Sequence, residues 1–297
     1  MSRRGFTLIE LLIALVLLGL VSTALYRVLA NNQRLYFAQT QRIDLSQNIR
    51  AATSILPAEF RELDAFDGDI LAMSADSIQI RAMRWLAFVC KKPVLPGVNP
   101  NIQMTVRGGV VGQPMYYGAR DINATDGMFV YNDGDQTTRT DDYWVPATIT
   151  AKAASTCDAV GAVTAAQQPA TLITFSGTFI NGTNVAEAIP LGAPVRGYET
   201  VTYKLYKPVG DTLWYIGFRP QGQTIQPLVG PILANGLTFT YYDVNGNVTA
   251  TRTNVARIDI TVRARTTSAV RRGGTAKTAI IVDSVSTSVA LRNNRRF

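Results

Sequence analysis

Apolar positions along this chain follow three periods in succession. The first is nearly unbroken: from Phe6 to Ala30 the only charged residues are Glu10 and Arg27. As helix, these 25 residues reach about 37 Å, enough to cross a bilayer. The second period is amphipathic and runs from Tyr26 to Leu56. Leu29, Tyr36 and Ile43 recur every seven residues, and Leu45, Ile49, Ala52 and Leu56 follow at helical spacing. The two segments predict one stem helix of about 50 residues. Its part over 31–66 is expected to pack on a head. Pro57 is expected to end or kink it, with 58–66 adding a short helix. Arg27, Arg34, Arg42 and Arg50 share one face, read as a solvated face in preference to a contact with acidic neighbours.

The third period is two. After Asp67-Gly-Asp69, residues 77–84 and Ala256–Ala264 alternate, while Gly127–Tyr131, Thr171–Ile180, Glu199–Lys207 and Thr212–Arg219 read as further strands, with a last strand from Ile280 to Leu291. Pro208–Asp211 predicts a hairpin between two of these strands. Asp243-Val-Asn-Gly246 predicts another, between Leu237–Tyr242 and Val248–Arg252. Prolines at 93, 96 and 100 and a polar stretch from Asp133 to Asp142 make 91–170 read as a loop-rich insertion. The Ala/Thr-rich residues 147–170 read as its exposed part. The expected class is α+β: a hydrophobic stem helix followed by an antiparallel sheet over 67–297.

Composition narrows the function. Histidine is absent, which removes the commonest general base and metal ligand; Ser-His-Asp and Cys-His catalysis and the usual zinc sites go with it. The expectation is a non-enzyme with no cofactor and no metal. There are 29 Lys and Arg against 21 Asp and Glu, a net charge of +8, but many of the bases lie near the ends and in one loop. Nucleic acid is therefore not expected as the primary partner. Cys90 and Cys157 read most simply as one disulfide, the alternative being two buried thiols.

Four weaker candidates remain. Asp133-Gly-Asp135 with Asp141-Asp142 carries oxygen ligands suited to calcium, but the EF-hand spacing is missing and a solvated loop is preferred. Asp243, Asn245 and Asn247 look like part of a calcium loop, but the hairpin turn is preferred. Asn123, Asn181 and Asn247 stand in glycan-acceptor patterns read as chance. Tyr116-Tyr117, Tyr143-Trp144 and Tyr241-Tyr242 each place neighbouring aromatics where one could meet a partner.

Glu10 is the oddest residue of the first segment. A carboxylate in hydrocarbon costs about 3 kcal/mol even on a lenient scale, so it needs a partner. Arg3-Arg4-Gly5-Phe6-Thr7-Leu8-Ile9-Glu10, followed by such an apolar run, resembles the leader and processing site of type IV prepilins and type II secretion pseudopilins. The resemblance implies a basic leader of residues 1–5 (Arg3, Arg4), cleavage after Gly5 by a prepilin peptidase and N-methylation of Phe6. It also implies pairing of Glu10 with the terminal amine of a neighbouring subunit. The inner membrane would hold residues 6–30, with the N-terminus cytoplasmic and the head periplasmic, until the subunit enters a pilus or pseudopilus. Asn48–Ala52, Gly236–Asp243 and the closing Val289–Asn293 resemble PilW-like minor pilins and J-type minor pseudopilins. These families imply a minor pilin that helps start a filament and sits at its tip, with other minor and major pilins as partners. The alternatives are a minor pseudopilin of a type II secretion system, and an adhesin or DNA-uptake subunit using 91–170.

Overall fold

The structure, a computed structural model, describes residues 7–94, 101–107, 117–118, 120–133, 142–159, 161, 164–177, 189–271 and 277–292. One helix, α1, runs from Leu8 to Arg61. Strands follow in the order β1 (Ile70–Met73), β2 (Ser77–Val94), β3 (Ile102–Arg107), β4 (Tyr117–Gly118), β5 (Gly127–Asn132), β6 (Tyr143–Thr156) and β7 (Pro169–Gly177). Then come β8 (Pro194–Tyr206), β9 (Trp214–Pro220), β10 (Gln226–Tyr242), β11 (Arg257–Arg265), β12 (Val270–Arg271), β13 (Thr278–Ala279) and β14 (Val282–Ala290). The fold is α+β: a long apolar N-terminal helix followed by a large antiparallel sheet domain.

The helix does not stop at Pro57, which lies inside it. Proline there removes one backbone donor only four residues before the end, and burial of Leu56 and Phe60 against the sheet holds the last turn. The expected short helix over 58–66 is replaced by this continuation and a turn. The stripe also needs correction. Leu29, Tyr36 and Ile43 are 60%, 73% and 56% exposed, and only from Leu45 onward does the helix bury its apolar face. Beyond the helix, Arg292 ties the chain back to it, donating its backbone N–H to Arg61 O at 3.0 Å and pairing with Glu62 at 3.0 Å.

Two lobes share the long strands β2 and β8. In the stem lobe the strand order is β1-β2-β8-β9-β10-β11-β14. Its core joins Leu45, Ala52, Leu56 and Phe60 of α1 to the inward side chains of the sheet, Ile78, Ile80, Val201, Tyr203, Ile258 and Ile260 among them. Phe60 meets Tyr203 and Phe239 edge-on, with ring centroids 5.9 and 5.8 Å apart.

In the second lobe the pairings close on themselves: β2 with β3, β3 with β7, β7 with β6, β6 with β5, β5 with β8, and β8 with β2. This is a six-stranded antiparallel barrel with its own core around Trp85, Met104, Met128, Val130, Ile173 and Phe175. Gly197 makes room for that core, since a Cβ there would lie 1.8 Å from the Trp85 ring. The expectation of a loop-rich insertion over 91–170 is therefore corrected. Its described residues include β3, β5 and all of β6, and the Ala/Thr-rich segment pairs with β7 along 147–156 while burying Ala147 and Ile149.

The hairpin of β8 and β9 forms as expected. The one expected at 237–252 does not. β10 pairs instead with β11, and Val248 makes only an isolated bridge to Tyr242. β11 wins because it alternates over nine residues and buries Ile258, Ile260, Val262 and Ala264. The loop after β11 carries the two-residue ribbon of β12 and β13 beside the stem.

Candidate functional site

The first turn of α1 is built by its own sequence. Thr7 has the extended backbone of an N-cap, and its hydroxyl oxygen accepts from the Glu10 backbone N–H at 3.4 Å. In return Glu10 Oε2 accepts from the Thr7 backbone N–H and hydroxyl, both at 3.3 Å. This is a capping box, in which the two residues satisfy donors that a helix start leaves unpaired. Among the described residues nothing donates to Glu10 Oε1. Around it, Leu8, Ile9, Leu11, Leu12 and Ile13 are exposed, so a lone carboxylate sits on a bare apolar surface. Such a group can accept a cation or a further hydrogen bond from another molecule packed along the helix. Arg3, Arg4, Gly5 and Phe6 lie outside the described residues.

The helix is long and apolar enough to cross a membrane, and none of that window is buried within the molecule. Leucine, valine and isoleucine dominate the exposed face up to Phe37. For a water-exposed surface this would be a severe liability, whereas lipid or other apolar helices would cover it.

Where the helix ends, a charged network locks it to both lobes. Arg84 Nη1 donates to Glu59 Oε1 at 2.9 Å and its Nε to Glu199 Oε2 at 3.1 Å. Arg120 pairs with Asp126 at 2.7 Å and approaches Glu199 at 3.6 Å, while the Trp85 indole N–H donates to Asp126 at 2.8 Å. Burial acts to lower the Arg84 guanidinium, but the carboxylates of Glu59 and Glu199 outweigh it and raise its pKa. Nearby, Asp69 is almost fully buried. Its Oδ2 accepts from the Asp64 backbone N–H at 2.9 Å and faces Arg196 at 3.5 Å. Desolvation pushes its pKa up from 3.8 to about 6 despite those partners.

Cys90 and Cys157 form a disulfide, with their Cα atoms 5.4 Å apart, joining β2 to the residue after β6 on the barrel wall. The other candidates dissolve into structure. Asp243 Oδ1 accepts from the backbone of Asn245 and Asn247, both at 2.9 Å, which makes a turn rather than an ion site. Asn123 donates its backbone N–H to Asp126 Oδ2 within the network. Asn181, Tyr116 and residues 134–141, with Asp135 and Asp141, lie outside the described residues. No cluster of three or more metal-ligating side chains occurs among the described residues.

Of the aromatic pairs, Tyr241 is buried and donates to Ser74 O at 3.0 Å, and Tyr242 lies under the Arg257 guanidinium at 4.0 Å. Trp144 packs edge-on to Tyr131 and beneath Arg196. Two functional features escaped the sequence reading. Thr7 was legible as the first residue of a T-x-x-E capping pattern, whereas nothing in the sequence links Arg84 to Glu59 and Glu199.

Residues 1–26 match the family model described as the prokaryotic N-terminal methylation motif. No curated protein and no solved structure matches the chain significantly. Together with the helix geometry, the match supports a type IV pilin-like protein of the kind that prepilin peptidase processes and that assembles with other pilins.

Proposed function

We propose that the protein is a minor pilin that is cut after Gly5, methylated at Phe6 and drawn from the inner membrane into a type IV pilus, where it helps to start assembly at the tip. The observation that carries this reading is Glu10: a single carboxylate on an otherwise apolar, uncovered helix, inside the methylation motif. In the membrane its capping bonds to Thr7 soften the cost of burying it. In a filament the terminal ammonium of a neighbouring subunit approaches the free oxygen and neutralises the charge. The stem then exchanges lipid for helix contacts without exposing its apolar face to water. No catalytic residue takes part, and prepilin peptidase and the other pilins are the partners.

A minor rather than a bulk subunit is favoured by the size of the head. A filament built only of this chain would have to place a second lobe, the barrel, beside every stem. A minor pseudopilin of a type II secretion system uses the same physics and is the second reading; genes for a secretion channel beside this one would favour it. An adhesive role would fall to the barrel lobe. For the main proposal, Glu10→Ala is expected to insert into membranes as the wild type does. Its recovery in sheared filaments should drop by at least about tenfold, the effect of losing only about 1.4 kcal/mol of pairing. Normal recovery in filaments would overturn the pairing mechanism.

A further inference from the structure

The ribbon of β12 and β13 stands beside the stem helix just past its apolar segment. Between them lies an open cleft of about 680 Å³ lined by Tyr26, Ala30, Gln33, Arg34, Phe37 and Arg271, together with their ribbon neighbours. Past Val270 it continues into a second recess of about 430 Å³ that reaches Arg42 and Asp283. We propose that this cleft takes the headgroup of an anionic phospholipid from the membrane that the stem crosses, so that the head rests on the lipid surface before assembly. The inference rests on the reading of α1 as a membrane span.

Three observations support this occupant. The first is charge. No Asp or Glu occurs from 11 to 43 or from 260 to 282, while Arg27, Arg34, Arg42, Arg271 and Lys277 all belong to those stretches. Arg27, Arg34, Arg42 and Lys277 are exposed on the helix and beside the ribbon. Of the carboxylates that bound these stretches in sequence, Asp283 lines the second recess and none lines the first. The second is depth. If the hydrocarbon ends near Ala30, Arg34 stands about 6 Å further along the helix, within the headgroup layer. The third is the mixed character of the lining. Tyr26 and Phe37 offer apolar rings and Arg34 a planar donor fork, which suits a molecule with a phosphate at one end and hydrocarbon at the other. An acidic face on a neighbouring subunit would satisfy the charges alone, but it would have no need of the aromatic floor.

The test uses the full chain. Its insertion is checked by resistance to carbonate extraction. The detergent-solubilised protein is then titrated with phosphatidylglycerol or with phosphatidylcholine of the same acyl chains, and retained lipid is counted by native mass spectrometry. The expected result is phosphatidylglycerol retained at least about tenfold better. Arg34→Gln and Lys277→Gln should each lower that retention by about fivefold, with phosphatidylcholine unchanged and the thermal unfolding midpoint preserved. Equal retention of the two lipids, wild-type retention by the variants, or displacement of the lipid by millimolar inorganic phosphate would overturn the proposal. A chain that fails to insert would overturn both this inference and the membrane reading; an inserted chain with no lipid preference would overturn this one alone.

Discussion

The stem lobe borrows a helix to complete its core, whereas the barrel lobe closes its core with strands alone. In the first, Leu45, Ala52, Leu56 and Phe60 cap one face of an open sheet, which ends at β14. In the second, six strands return on themselves, and a disulfide ties the wall together. A sheet that needs a helix to cover it is coupled to whatever happens to that helix. A closed barrel has no free edge and no such dependence. The contrast shows where a change at the membrane would be felt first: in the stem lobe, through Phe60 and the Glu59–Arg84–Glu199 bridge.

Three measurements can break or sharpen that comparison. Phe60→Ala removes a fully buried ring touching Tyr203 and Phe239, and should cost about 4 kcal/mol of stem-lobe stability. Hydrogen exchange should then quicken in β9, β10 and β11 while β3, β6 and β7 stay protected; equal loosening of both lobes would show that they unfold as one unit. Cys90→Ser combined with Cys157→Ser opens a loop spanning 67 residues and should cost up to about 4 kcal/mol, with the opposite pattern of exchange.

The smallest expected effect concerns Asp69, at the junction of the lobes. Its folded pKa of about 6 exceeds the ordinary 3.8, so the folded state holds the proton more tightly than the unfolded chain does. Its contribution is therefore fully present below pH 3.8 and is lost as the pH rises toward about 6, a loss of roughly 3 kcal/mol. Urea titrations from pH 4 to 7 should show a steeper decline in stability for the wild type than for Asp69→Asn. Parallel curves would refute the buried, costly carboxylate.

What could be read from the sequence was whatever repeats locally. The apolar run, the charge at Glu10 and the alternating strands at 77–84, 199–207 and 256–264 each declare themselves within a dozen residues. Closure of the barrel does not, because β2 meets β8 across more than a hundred residues, and no local period records that pairing. The small residues of β6 hid a strand whose inward positions need only Val145, Ala147 and Ile149. The stem stripe misled for the converse reason. Leu29, Tyr36 and Ile43 have the right spacing, but along this part of the stem the head offers only the β12–β13 ribbon, which stands by Tyr26, Ala30, Gln33 and Phe37 and leaves that stripe exposed. At the candidate site Glu10 was legible because a charge stands out in hydrocarbon, while the Arg84 network joins residues 25 and 115 positions apart.

The strands shared by both lobes have a consequence for protein engineering. Met83 and Tyr198 are opposite one another on neighbouring strands, just before Trp85 and Gly197 enter the barrel, so the chain departs from and rejoins the stem lobe at the same rung. The whole barrel is thus spliced into the tip of one hairpin. A cut at 91 and 170 would leave β7 stranded without its partners, whereas replacing residues 84–197 by a short Asn-Gly turn would preserve the stem-lobe registers. The barrel behaves as a removable cassette, and its natural borders are Met83 and Tyr198, because Trp85, Ala87 and Val195 beyond them already belong to the barrel core.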